Sequence, residues 1–131
     1  MANPNITNVT SILGTTTYLT PSVTTAVVLL PNAASSGKVF KINQIVAANV
    51  NGSTAVNTTV SIYTNGAVAQ NSAPSGGTAY PVVSTVSVPA NASLIVVDKT
   101  TAIYLQEGTS ISVTSGTASG ITYSVSYEEI S

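Results

Sequence analysis

The sequence predicts an all-β protein: a single antiparallel β-sandwich of about eight short strands, jelly-roll or Ig-like, preceded by an extended N-terminal arm. Three observations carry that prediction. Apolar and polar residues alternate with a period of two along most of the chain, as half-buried strands require. Asn-Gly pairs, prolines and glycine clusters punctuate the alternating runs at short intervals. Strong helix formers are scarce, and no segment sustains apolar residues at i, i+3 and i+4.

Residues 1–22 stand apart from the rest. They hold Asn, Thr and Pro with isolated Ile6, Val9, Ile12 and Leu13, then Gly14 and Pro21. This composition predicts an extended arm or edge strand whose apolar groups need an outside partner, with the sandwich occupying residues 23–131. Residues 26–30 are apolar on both faces, as are residues 94–97, which suits strands covered on both sides. Over residues 39–50 the phase predicts Phe40, Ile42, Val46, Ala48 and Val50 on one face, with Gln44 as the polar intruder. The opposite face then carries Lys41, Asn43, Ile45 and Asn49.

Asn51-Gly52 and Asn65-Gly66 read as tight two-residue turns, because both residue types accept the positive φ of a short hairpin. Between them, Val60 and Ile62 are expected inward, with Thr59, Ser61 and Tyr63 outward. Pro74 to Gly77 marks a longer loop tip, and Glu107-Gly108 a turn. The alternation predicts Ile111 and Val113 inward in the next strand. Ile121, Tyr123, Val125 and Tyr127 share the inward face of the last.

Charge is the other unusual property. Asp, Glu, Lys and Arg make up 5% of the 131 residues, against about a quarter in an ordinary soluble domain. Lys38, Lys41, Asp98, Lys99, Glu107, Glu128 and Glu129 are the whole set, and there is no His, Cys or Trp. Ser-His and Cys-His catalysis lack their base. Zinc lacks its preferred ligands, and no Asp-x-Asp pattern offers a calcium loop. Asp98 and Glu107 are the one separated pair of acids, and turn chemistry explains both better than a glycosidase pair does. No enzyme activity, cofactor or metal is expected.

A formal net charge of −1 offers no basic face to nucleic acid. The apolar runs are far shorter than the ~20 residues of a membrane helix, and the first residues lack the features of an export signal. Assembly in a cytoplasm is the expectation. Exposed tyrosines are the remaining candidates for contact, since Tyr is enriched at protein interfaces. Tyr18, Tyr63 and Tyr80 fall on faces or loops expected to be open. Together with Ile6, Val9, Ile12 and Leu13 they form the candidate protein interface.

The second half of the chain resembles a known group. The runs VSVPANASLIVVDK (86–99), IYLQEGTSISV (103–113) and ITYSVSYEEIS (121–131) are similar to those of short β-sandwich virion proteins of tailed phages, cyanobacterial phages among them. KINQIVAANV (41–50) and VSIY (60–63) match more loosely, so the resemblance spans residues 38–131. It implies a non-enzymatic virion component whose partners are the major capsid protein, other virion proteins and further copies of itself. The first expectation is a decoration or cement protein bound in many copies to the outside of the head. The arm, the sparse charge and the available strand edges favour it. The second is a tail, neck or fibre component, one that touches host glycans through Tyr63, Tyr80 and the Asn-rich loops.

Overall fold

A computed structural model describes residues 7–131, so Ile6 lies outside the described residues. The chain is all-β. Among the described residues nine strands follow one another: β1 (Ile12–Leu19), β2 (Val27–Asn32), β3 (Val39–Asn49), β4 (Val56–Tyr63), β5 (Ala79–Val88), β6 (Ser93–Val97), β7 (Ile103–Leu105), β8 (Thr109–Ser115) and β9 (Ile121–Ile130). Between β6 and β7 lies a single 3-10 turn, Lys99–Thr101.

The strands form two antiparallel sheets. Sheet 1 has the order β1-β9-β3-β6, with β7 also on β3, and sheet 2 has the order β2-β8-β4-β5. The pairing is nested: β4 with β5, β3 with β6 and β7, β2 with β8, and β1 with β9. A long hairpin rolled up in this way is the jelly-roll order and not the Ig-like one. Because β6 and β7 both lie along β3, they act as two halves of one interrupted strand, which leaves eight strand positions.

The core lies between the sheets. Leu29, Ile42, Ile45, Val60, Leu105, Ile111, Ile121 and Val125 are essentially inaccessible to solvent. The predicted inward faces of β8 and β9 are realised: Ile111, Val113, Ile121, Tyr123 and Val125 are buried, and Tyr127 packs against the same cluster. Tyr127 also sets its ring 5.0 Å from that of Phe40. In β2, Val27 to Leu30 are all buried, as a run apolar on both faces demands.

Four expectations need correction. In β3 the phase does not run through. The register against β9 shifts between Ile42 and Gln44, so Ile45, Ala47 and Asn49 turn inward while Val46 and Ala48 are half-exposed and Val50 is open. A β-bulge inserts one extra residue and thereby flips every later side chain. Gln44 marks the place where the alternation breaks.

Tyr63 is buried, not exposed, and Ser61 beside it is buried as well. Both lie on the face of sheet 2 that points away from the core, and loop 64–78 covers that face. The Tyr63 hydroxyl donates to Gly77 O and accepts from Gly77 N, each at 3.0 Å. Ser110 Oγ donates to Asn65 O at 2.9 Å, and Val28 exchanges backbone bonds with Asn71 and Ser72.

Neither Asn-Gly pair makes a tight hairpin, and none of its four residues has a positive φ. Asn51-Gly52 lies on a connection between sheets, with Asn51 Oδ1 accepting from Ser53 N and Thr54 N. Asn65-Gly66 opens the long loop between β4 and β5. Gly66 is required there for a different reason: a Cβ would stand 2.0 Å from Asn32 O and 2.6 Å from Thr109 O. Finally, the described residues cover the apolar run in β6 on one side only, leaving Ile95 58% exposed.

Candidate functional site

The N-terminal segment builds the first candidate surface. Ile12–Leu19 is β1, the edge strand of sheet 1, paired with β9 residue for residue from Ile12↔Ile130 to Leu19↔Tyr123. Leu19 packs against the core, so this segment is part of the sandwich and not a free arm. Ile12 and Leu13 are each 57% exposed and Tyr18 is 74% exposed, while Val9 is half-buried. Three of the predicted contact residues therefore fall on one exposed strand.

Tyr80 is 61% exposed, on β5 at the far edge of sheet 2, with Val82 two residues on. It is on a different sheet from Tyr18. A third apolar surface, on the outer face of sheet 1, escaped the sequence reading. The register sets Ile95 beside Val46 and Tyr104 beside Lys41. Ile95 and Tyr104 are both open to solvent. The signal was present in the sequence, since Leu94 to Val97 is apolar on both faces and a four-residue run at an edge can be covered on only one.

The charged groups are tied to local structure. Both carboxylate oxygens of Glu107 accept backbone N–H groups at 3.1 Å, from Ser35 and Gly37, and so hold the β2–β3 loop. Asp98 caps the 3-10 turn through Thr100 and Thr101, and the bond from the Thr100 side chain is the first cause of its carboxyl lying below the ordinary Asp range. Lys38 pairs with Glu129 at 3.2 Å and Lys41 with Glu128 at 4.0 Å. Sheet 2 and loop 64–78 carry no charged side chain at all. Among the described residues no pocket opens and no group of three acidic, His or Cys side chains converges.

No protein-family model, curated protein or solved structure matches the chain.

Its polar interior is made from neutral groups instead. Tyr123 on sheet 1 reaches across the core to sheet 2, where its hydroxyl meets Thr58 Oγ1 and donates to Thr114 O at 2.9 Å. Burial, opposed by the bond from Thr58, pushes this phenol up to about 12. Asn49 donates to Thr54 O and Val88 O and accepts from Asn51 N. Asn32 donates to Lys38 O and Leu105 O and accepts from Ser36 Oγ. Each asparagine ends a strand and fastens the chain where it crosses between sheets. What these surfaces offer chemically is contact through apolar side chains and strand edges, with little charge to desolvate.

Proposed function

We propose that the chain is a non-enzymatic structural component of a phage virion, a decoration or cement protein that binds the outer surface of the head in many copies. The observation that carries this reading is the partition of charge and apolar exposure. One whole sheet carries no charged side chain, while Ile12, Leu13, Tyr18 and Ile95 stand open on the other, and no pocket opens among the described residues. Such a surface suits a protein built into an assembly better than one that works alone, because near-zero charge and open apolar groups favour association. The resemblance over residues 38–131 points the same way. The jelly-roll order is compatible with it, being used in viral capsid and lectin domains among others, although wiring alone does not fix a role.

The test is stoichiometry in purified particles of the phage that encodes the chain. Quantitative mass spectrometry should find it at an abundance comparable to the major capsid protein, and a particle reconstruction should place it on the shell. Absence from the shell would overturn the proposal. A second reading, a tail, neck or fibre component that contacts host glycans, rests on the exposed Tyr80 ring beside Pro81 and Val82. It predicts few copies per particle and glycan binding that is lost in Tyr80→Ala. Tyr63 has no part in either reading, because its ring is buried.

A further inference from the structure

We infer that β1 is a self-pairing edge, through which two copies of this chain join antiparallel into one continuous sheet. The four sheet edges are not equally open. The β2 edge is taken by loop 64–78 through Val28 N to Ser72 O and Asn71 N to Val28 O. The β5 edge is interrupted by Pro81, by two register shifts against β4, and by Thr85 at φ 52. The β6 edge has only five residues. β1 has eight, in unbroken register with β9, and no proline or charged residue. Proline, charge, bulges and short length are the devices that keep natural edges from pairing, and β1 has none of them.

Two hydrogen bonds show which way its backbone points. Ser11 and Ser131 exchange both N–H···O bonds, so Ser11 faces β9. Antiparallel residues alternate, so Leu13, Thr15 and Thr17 also face β9, while Ile12, Gly14, Thr16 and Tyr18 turn their N–H and C=O groups outward. Gln70 Nε2 approaching Tyr18 O at 3.5 Å from the far side agrees with this. The edge thus presents the outward backbone groups of Ile12, Gly14 and Thr16 in a row, while at its end the Gln70 amide, held on Thr17 Oγ1 at 3.1 Å, reaches Tyr18 O and would be displaced by a second copy.

The side chains select the occupant and the register. Placing Thr15 opposite Thr15 of a second copy brings outward residue against outward residue: Ile12 meets Tyr18 of the second copy, and Gly14 meets Thr16. Ile12 and Tyr18 are on the outer face of sheet 1 and are 57% and 74% exposed. In this register each covers the other, twice by symmetry, as the aromatic and β-branched pair that antiparallel strands favour. Sliding by one pleat in either direction separates them. The charges permit it, because the nearest carboxylates, Glu128 and Glu129, are on β9 and already paired with Lys41 and Lys38. A net charge of −1 per copy adds little repulsion.

The inference does not rest on the virion reading: a dimer in solution that fails to bind any particle would leave it standing and remove the other. Sedimentation of the full chain should show a concentration-dependent dimer. Thr16→Pro removes an outward N–H and the exposed Thr16 Oγ1–Ser126 Oγ bond at 3.0 Å, so it should lower the melting midpoint only slightly and weaken the dimer by about tenfold or more. If that variant melts early, Gly14→Lys serves instead, since a Cβ there meets nothing within 4 Å, and it should dissociate the dimer likewise. The chain has no cysteine, so single-cysteine variants report the register directly. Thr15→Cys should form a disulfide-linked dimer on mild oxidation, because directly opposed residues lie within disulfide reach. Thr17→Cys, opposite Leu13, should not. A monomer at every concentration, a folded Thr16→Pro or Gly14→Lys that dimerises like the wild type, or equal cross-linking at 15 and 17 would each overturn the inference.

Discussion

Tyr123→Phe should loosen the two sheets from each other without opening a cavity. The ring stays, so the core keeps its volume, and only the hydroxyl is lost. That hydroxyl meets Thr58 Oγ1 on β4 and donates to Thr114 O on β8 at 2.9 Å, in a site with no solvent access. A buried hydrogen bond contributes about 1 kcal/mol net, and a group left without its partner costs about 1–3 kcal/mol. Thr58 keeps a fallback at 3.4 Å, also to Thr114 O, so it is not left bare. The expected loss for Tyr123→Phe is therefore about 1–2 kcal/mol. Thr58→Val, which leaves the bond from Tyr123 to Thr114 intact, should lose less. The double variant should cost about 1 kcal/mol less than the sum of the two, since it removes both members of the pair.

Urea unfolding followed by circular dichroism would read these differences at unchanged m-value. Strict additivity of the two changes would refute the idea that the pair works as a unit. The same phenol makes a pH prediction. Its folded value of about 12 lies above the ordinary 10, so the unfolded chain gives up its proton first as pH rises. The stabilisation is complete below pH 10 and is lost between about 10 and 12, at about 1.4 kcal/mol per pH unit. Tyr127, raised mainly by burial and also by Glu129, adds in the same direction. Tyr123→Phe should flatten most of that alkaline slope.

Gly66→Ala should destabilise by more than about 2 kcal/mol, because its Cβ meets backbone oxygens that cannot move aside, whereas Gly14→Ala should be near neutral. Thermal melts of the two variants check this, and equal midpoints would contradict the packing of loop 64–78. Asn49→Leu should cost about 3 kcal/mol, since it strands Thr54 O, Val88 O and Asn51 N together. A loss below about 1 kcal/mol in urea titration would show that water replaces the side chain. Salt should matter little: the two ion pairs among the described residues are partly exposed and worth at most about 1 kcal/mol each, so the urea midpoint should stay nearly flat up to 1 M NaCl.

The parts of this fold that were legible in the sequence are those where one strand keeps one register. β9 pairs on both sides without losing its inward row of Ile121, Tyr123 and Val125, and its alternation could be read directly. β3 could not be read that way, because a bulge near Asn43 changes the meaning of every later position, and a single extra residue leaves no trace in composition. Tyr63 was misplaced for a different reason. Alternation assigns a face but does not say whether a loop fifty residues from either terminus will cover it. The exposed row of β1 was legible as apolar residues without local partners, while the placing of Ile95 and Tyr104 on one face was not, because it depends on β6 and β7 sharing one strand, β3.

The shortage of charge has a structural counterpart in the asparagines. The chain has to be fastened at the points where it leaves one sheet for the other. Here Asn32 and Asn49 do so, each with its amide N–H groups on two carbonyls and its oxygen on a donor. A neutral amide can be buried with all its bonds made at much lower desolvation cost than a carboxylate or ammonium. The few true charges are then left to hold turns and to pair along β3 and β9, all on or beside sheet 1. Sheet 2 needs none, and its outer face is closed by loop 64–78 through backbone and hydroxyl groups alone. A fold fastened in this way leaves both the covered face and the open β1 edge free of charge. Strand pairing there would not have to strip water from an ion.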